Sequence, residues 1–405
     1  MHCSSLYSTA PKSDTVESQR QEKRTNQDEP GRMTEGMWVT VDGARSLVGV
    51  YNFSAWSQGG RWWRTEASAP DHADEDWRSR FPERQPLQGW YDDSQEAMDV
   101  QIAQAQAYGI DFFVLLWYPP ADPKVDEAWS TSGLNAAVDR FMSSSLAGKV
   151  RFAISYVNHP PLGFINSGQW MQACRRFAEW FRHPAYLRLD GTPLFLVHSA
   201  ADFRRQWGGA EGARARLASM QEFAVNCGSP GVLVGGGLVG GGPIALDQWG
   251  ELSRDGYGFM TGYNCNMVES KRDTYERREV PYAQAVQRHL ELWQTGRERC
   301  AVPFMPFVTV NWDPRPWMGS ECMYWVGKDK ASFTGFLLQA SRAVGTEERH
   351  RLGQVGMVFV YAWNELGEGG IVVPTRGTGY AEVEAIRDAF AATVAQHEGV
   401  GPGNL

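Results

Sequence analysis

The chain has 405 residues, of which 42% are hydrophobic and 21% charged, enough apolar material to build one large core or several smaller ones. Its formal net charge of -8 lacks the positive excess on which non-specific binding to nucleic acid or to anionic membranes depends, so neither partner is expected. The six cysteines, Cys3, Cys174, Cys227, Cys265, Cys300 and Cys322, show no C-x-x-C spacing. That pattern speaks against a zinc site and a dense disulfide framework, and no metal or cofactor is expected.

Residues 1–45 are rich in Ser, Thr, Gln, Glu, Lys and Arg and nearly free of apolar periodicity, which predicts a disordered tail. No signal-peptide pattern opens the chain and no apolar run approaches the length of a membrane span, so a cytoplasmic location is expected. From Leu47 on, one pattern repeats: a short apolar run, then a helical stretch. Strands are predicted at Leu47–Phe53, Ile110–Tyr118, Val150–Asn158, Pro193–His198, Val232–Val239, Phe259–Asn264, Phe304–Trp312 and Met357–Trp363. Helices are predicted at Asp93–Tyr108, Trp170–Phe181, Gly212–Val225, Tyr282–Trp293, Ser332–Ala343 and Tyr380–Val394. Strands apolar on both faces and alternating with helices form parallel sheets covered by helices. A count of eight such strands points to an α/β chain with a single (β/α)8 TIM barrel over residues 46–397 and a flexible C-terminus at 398–405. The least strand-like run is Gly235–Gly242, whose glycines fit poorly in a strand; a phosphate-cradling loop is the competing reading, but the spacing of a nucleotide-binding loop is missing.

Chemistry in such barrels gathers at the C-terminal ends of the strands. Those positions carry Tyr51 and Trp56 after the first strand, Trp117 and Tyr118 after the second, Asn158 after the third, His198 after the fourth and Tyr263 after the sixth. Trp312, Asp313 and Arg315 follow the seventh, and Trp363, Asn364, Glu365 and Glu368 the eighth. Flat aromatic faces beside amides, acids and a guanidinium suit a sugar, which needs apolar platforms and bidentate hydrogen bonds together. The chain's 17 tryptophans fit the same reading, although most are ordinary core and loop aromatics. Glu365 and Glu368 are the expected catalytic pair, and the other residues named here the expected substrate contacts; a glycan or oligosaccharide is the expected partner.

Four stretches carry a resemblance: Val48–Phe53, Gly109–Trp117, His183–Tyr186 with Asp190–Pro193, and Ala362–Gly369 with Pro374 downstream. In barrel order, from about Leu47 to Phe390, the chain resembles glycoside hydrolase family 99, the endo-α-mannosidase family, and its bacterial glycosyltransferase-like relatives from surface-polysaccharide clusters. The resemblance implies retention through the sugar's own 2-hydroxyl, with Glu365 drawing the hydroxyl proton and Glu368 acting as acid and then base. Two positions depart from the pattern: Asn158 stands where relatives often carry a carboxylate, and Asn311-Trp312-Asp313 replaces a glycine-aromatic/acid pattern. Both put the sugar's identity in doubt more than the reaction type.

Alternatives remain at several positions. The glutamates have structural readings, as partners of Arg315 or, for Glu368, as a cap on the Gly369-Gly370 turn. Arg315 is a ligand-anion site or a support for Asp313, and His198 a sugar contact or a core histidine. Trp117 and Trp363 stack on sugar or plug the barrel top, and Asn364 bonds a carboxylate or the substrate. Glycan hydrolysis leads; glycosyl transfer and a non-catalytic carbohydrate-binding barrel are the competing functions.

Overall fold

The computed structural model describes residues 46–119, 134–159, 163, 165–239, 243–265 and 279–397, with the backbone alone for 243–247 and 392–397. The expected tail, the C-terminal 398–405, the loop from Pro160 and Gly240–Gly242 lie outside the described residues.

Eight parallel strands form the sheet: β1 Ser46–Asn52, β2 Phe112–Trp117, β3 Arg151–Tyr156, β4 Thr192–Val197, β5 Leu233–Leu238, β6 Phe259–Gly262, β7 Phe307–Thr309 and β8 Val355–Tyr361. Pairing runs β8-β1-β2-β3-β4-β5-β6, with β7 on the other side of β8. A parallel bridge between Met260 and Phe304 joins β6 to the approach of β7 and closes the ring. This is the (β/α)8 barrel expected from the alternation of elements.

The helices are α1 Gln95–Ala107, α2 Ala136–Ser143, α3 Ser167–Trp180, α4 Ala200–Gln206, α5 Ala210–Asn226, α6 Pro243–Leu252, α7 Tyr282–Arg299, α8 Lys330–Thr346 and α9 Ala381–His397. Their starts are written in local chemistry. Ser94 accepts from the Ala97 amide at 3.0 Å to cap α1, while Asn166 with Gln169 and Asp329 with Ser332 form capping boxes on α3 and α8. Pattern reading places most ends within a few residues, but α7 continues past Trp293 to Arg299. Its last turn runs through Gly296, where a Cβ would meet the Phe304 ring at 2.4 Å.

From Gly235 to Leu238 the glycine-rich run is strand, and its neighbours leave no room for side chains. A Cβ on Gly235 would stand 2.4 Å from the Phe259 ring, on Gly236 2.7 Å from the Met260 sulfur, and on Gly237 2.0 Å from the His198 carbonyl oxygen. Inside the barrel the space is taken by aromatic rings: Phe359 lies 5.8–6.0 Å from Phe112, Tyr51 and Phe259, side chains of three other strands. One layer higher, Tyr263 is edge-on to both Tyr51 and Tyr361, at 4.9 Å from each. This tyrosine layer is the floor on which the site stands.

Between β1 and α1 a long loop folds an aromatic cluster over one side of the mouth. Trp63 lies 4.8 Å from Trp56, 5.5 Å from Trp77 and 5.7 Å from Trp90. Trp317, on the single helical turn Arg315–Met318, lies 6.3 Å from Trp56 and 5.7 Å from Trp62. Trp56, Trp63 and Trp77 are buried and Trp62, Trp90 and Trp317 partly buried, so they serve first as packing that fixes the loop.

Candidate active site

Beyond β8 the chain makes a tight ribbon. The Trp363 amide still bonds to the Tyr51 carbonyl of β1 at 2.7 Å, and the Tyr361–Ala362 peptide is cis. Asn364–Glu365 then pairs antiparallel with Gly370–Ile371, leaving residues 366–369 as the connection. Glycine is required here for two reasons. Gly369 sits at φ +79°, a left-handed conformation, and a Cβ on Gly367 or Gly370 would strike the Trp317 or Tyr361 ring at 2.1 or 2.2 Å. The Glu368 amide donates to the Glu365 carbonyl at 3.2 Å, so one short turn carries both acids.

Each acid receives a phenol. Tyr263 donates to Glu365 Oε1 and Tyr361 donates to Glu368 Oε2. Burial pushes the Glu365 carboxyl well above the usual carboxylate range and the charge of Glu368 adds to it, while the Tyr263 hydrogen bond opposes both. Burial likewise lifts Glu368 to about 7 against the Tyr361 hydrogen bond. Burial of both and the charge of one upon the other favour keeping a proton on the pair near neutral pH, which is what a general acid beside a general base would need. Tyr118 faces the same pair: burial raises its phenol and the charges of Glu365 and Glu368 raise it further.

Two braces hold the ribbon. On the Glu365 side, Asn364 Oδ1 accepts from the Phe53 amide at 2.8 Å and its Nδ2 donates to Asp92 Oδ2 at 2.9 Å. Its carbonyl accepts from Trp56 Nε1 at 2.6 Å, and Asp92 Oδ1 accepts from the Trp56 amide at 3.1 Å. Burial lifts the Asp92 carboxyl to about 7, with hydrogen bonds from Trp56 and Asn364 opposing. On the Glu368 side the brace is ionic. Asp313 is gripped by Arg84 Nη2 at 2.5 Å and bidentately by Arg315 at 2.7 and 2.8 Å, and its amide donates to the Glu368 carbonyl at 2.6 Å. Burial pushes the Asp313 carboxyl up, but the Arg315 hydrogen bonds and the two guanidinium charges outweigh it and hold the group below the usual range.

The structure brings some of the expected residues together and sends others elsewhere. Glu365, Glu368, Tyr118 and Tyr263 converge; Tyr51 supports Tyr263 from below, and Trp312 lies 6.2 Å from Tyr361. His198 sits edge-on to Tyr263 at 4.5 Å, with its Nδ1 buried and without a hydrogen-bond partner. Burial, with the charge of His159 behind it, pushes its imidazole down to about 3, so it is neutral at working pH. Trp117 turns to the helix layer, edge-on to Phe177 of α3 at 4.9 Å, and Trp363 packs edge-on to Phe113 at 5.2 Å. Asn158 exchanges two 2.8 Å hydrogen bonds with the backbone of Ser199, tying the end of β3 to the start of α4. Trp56 and Asn364 are consumed by the first brace, and Asp313 by the second. Arg315 pairs with Asp313 rather than with the glutamates, and its guanidinium lies 3.7 Å over Tyr324.

Three contributors escape a reading of strand ends as contact positions, Tyr361, Asp92 and Arg84, and a fourth, Asn264, stands at the expected end of the sixth strand without being an expected contact. Tyr361 reads as core within an apolar run. Asn264 hydrogen-bonds Tyr361, which in turn donates to Glu368, and its Oδ1 is buried without a partner. Asp92 and Arg84 lie in the aromatic loop, hundreds of residues from what they hold. Among the described residues, no cluster of three His, Cys, Asp or Glu side chains is arranged to hold a metal, and no helix is long and apolar enough to cross a membrane.

Comparison with known proteins follows this geometry. Residues 249–386, which include both glutamates, match the family model of "Glycosyltransferase WbsX". A solved "glycoside hydrolase-like protein" superposes with a TM-score of 0.59 at 13% identity, over 89% of this chain and 97% of that one. The family 99 endo-α-mannosidase from Bacteroides thetaiotaomicron superposes with a TM-score of 0.54 at 14% identity, over 87% of this chain and 98% of that one. The family 99 resemblance holds. A GH5_18 protein from Streptomyces cattleya, solved with GlcNAc, gives 0.51 at 12% identity over 87% of this chain and 82% of that one. At such identities the likeness to solved structures is one of fold. No curated protein matches the chain.

Proposed function

We propose that the chain is a retaining glycosidase of family 99 type, acting on a glycan. The observation that carries the reading is the pair itself: two buried carboxyls on one turn, each bonded by a barrel tyrosine, both raised above the usual carboxylate range. A direct-displacement pair flanks the scissile bond from opposite sides, whereas acids on one turn approach the sugar from related directions. The reaction that suits them uses the substrate's own 2-hydroxyl. The reacting form carries the pair's one proton on Glu368 and leaves Glu365 ionised: Glu365 takes the hydroxyl proton while O2 attacks C1, the bond from C1 to the leaving oxygen breaks, and Glu368 delivers its proton to that oxygen. Water then adds to C1 as Glu368 takes its proton, the C1–O2 bond opens, and O2 recovers the proton from Glu365. Because O2 must attack from the face opposite the leaving group, the substrate is a 1,2-trans glycoside, and two inversions give net retention.

The test is turnover of glycans, whose leaving oxygen needs a proton, by the parent chain, Glu365→Gln and Glu368→Gln. Loss of about 10²–10⁴-fold in each folded variant supports the assignment, and near-normal turnover by either overturns it. The match to a glycosyltransferase family model favours a second reading, transfer to an acceptor with the same two acids. Incubation with nucleotide sugars and a glycan acceptor, read by mass, separates the two. Donor consumption without glycan cleavage selects the transferase.

A further inference from the structure

We propose that Arg84, from the aromatic loop after β1, is a positioning residue for the glutamate pair, its guanidinium fork gripping both the peptide between the acids and the aspartate that holds the second. The proposal rests on the glycosidase reading only in taking Glu365 and Glu368 as the reacting pair.

The geometry is specific. Arg84 Nη1 donates to the Leu366 carbonyl at 2.9 Å, while Nη2 reaches the Asp313 carbonyl at 3.0 Å and Asp313 Oδ2 at 2.5 Å. Leu366 is the residue after Glu365, and Asp313 in turn holds the Glu368 carbonyl through its amide at 2.6 Å. One buried side chain therefore bears on both ends of the turn. It is itself locked in place: its neighbours Glu83 and Gln85 accept backbone hydrogen bonds from Gly377 and Arg376 at 2.8 and 2.9 Å, and its guanidinium lies 4.8 Å from the centroid of the Phe81 ring. A buried arginine spent on one ion pair would need only one face of its fork; here the other end goes to a main-chain oxygen beside the reacting group. The hydrogen bonds of its guanidinium go to Leu366 and Asp313, so it acts through the turn.

The charged and titratable groups facing this assembly are Asp313, Glu83, Arg315, Cys322 and Tyr324 around Arg84 and its aspartate, and Tyr118, Tyr263 and Tyr361 around the glutamates. Arg84→Lys keeps the positive charge beside Asp313 but replaces a planar fork by a single ammonium, which cannot reproduce the same set of contacts. The charge environment is kept while the turn is released. With the carboxyls no longer held close, their two proton-loss steps draw together, and a bell-shaped activity profile narrows.

The experiment is a carbon-13 carboxyl titration of glutamate-labelled protein, parent against Arg84→Lys, with the Glu365→Gln and Glu368→Gln variants supplying assignments. Thermal melts establish that each variant is folded. We expect the two steps to move together in Arg84→Lys, with kcat down about 10²-fold and KM little changed, as displacement of a reacting group requires. Two steps separated as in the parent, in a folded Arg84→Lys, overturn the proposal. So does a fall in kcat that only follows the folded fraction. Should Arg84→Lys fail to fold, Asp313→Asn releases the same turn from the other side and must shift the titration in the same sense. The titration needs no substrate, so it decides the role of Arg84 even if no glycan is turned over.

Discussion

The two glutamates are three residues apart and share one turn, yet they are held by different physics. Glu365 hangs from a network of hydrogen bonds: Asn364, braced by Phe53, Trp56 and Asp92, fixes its backbone, and Tyr263 its carboxyl. Glu368 hangs from charge, through the Asp313 amide and the Arg84 and Arg315 guanidiniums behind it, with Tyr361 on its carboxyl. The difference teaches that the two ends of one short turn can be anchored by unlike means, hydrogen bonds at one and charge at the other. Glu365 carries the neighbouring charge as well as burial, whereas Glu368 settles at about 7, where an acid that must give and retake a proton is most useful.

The largest expected effect breaks this pairing outright. Glu365→Gln and Glu368→Gln should each lose about 10²–10⁴-fold in kcat/KM on glycans. The two should part company on aryl glycosides with strongly acidic leaving groups. Such groups depart without a proton, so Glu368→Gln recovers much of its turnover and Glu365→Gln does not. Equal recovery by both would mean that the roles are not divided as proposed.

Removing a charge from the ionic brace comes next. Asp313→Ala leaves Arg84 buried without its partner and should cost about 3–5 kcal/mol of stability, read by chemical denaturation. The hydrogen-bonded brace is gentler. Asp92→Asn should cost about 1–3 kcal/mol, because an amide cannot accept from both the Trp56 amide and the Asn364 side chain as the carboxyl does. A reversed order would show that the charge cluster is incidental.

The tyrosines allow a finer cut. Tyr361→Phe removes a donor to the ionised form of Glu368, so its pKa should rise and the alkaline limb of the activity profile move up; Tyr263→Phe should raise Glu365 in the same way, and because Glu365 acts as base it is the acid limb that moves up. Each should reduce kcat by about 10-fold or more, in line with about 1.5–3 kcal/mol for a hydrogen bond to a charged group.

The smallest effect is on stability against pH. A carboxyl whose folded pKa lies above its unfolded value near 4.5 stabilises the fold fully while protonated in both states. That contribution is lost as pH rises from 4.5 through the folded value of about 7. The parent should therefore lose stability over that window, and Glu368→Gln should show a shallower decline.

The barrel is legible in the sequence because most strands are unbroken apolar runs and the longer helices repeat with their own period, although the shorter α2, α4 and α6 are not among the predicted helices. Even the glycine-rich β5 is explicable once Phe259 and Met260 are seen filling the space its side chains would need. The turn with its two acids is legible for the same reason: an apolar strand stops abruptly at glycines. What does not show is side-chain direction at the mouth, since a shift of one residue reverses the face. Trp117 and Asn158 stand at strand ends as expected, but the first turns to α3 and the second to Ser199. Arg84 and Asp92 are invisible for another reason. Their partners lie 229 and 272 residues away, and nothing local in an aromatic loop marks one arginine or aspartate as the brace of a distant turn.

The decisive measurement is proton NMR of the first sugar released from 1,2-trans aryl glycosides by the parent chain and by Glu365→Gln. We expect product of retained configuration from the parent and essentially none from the variant. Inverted product, or undiminished release by Glu365→Gln, would contradict a mechanism in which that carboxylate sets the substrate's own hydroxyl to work.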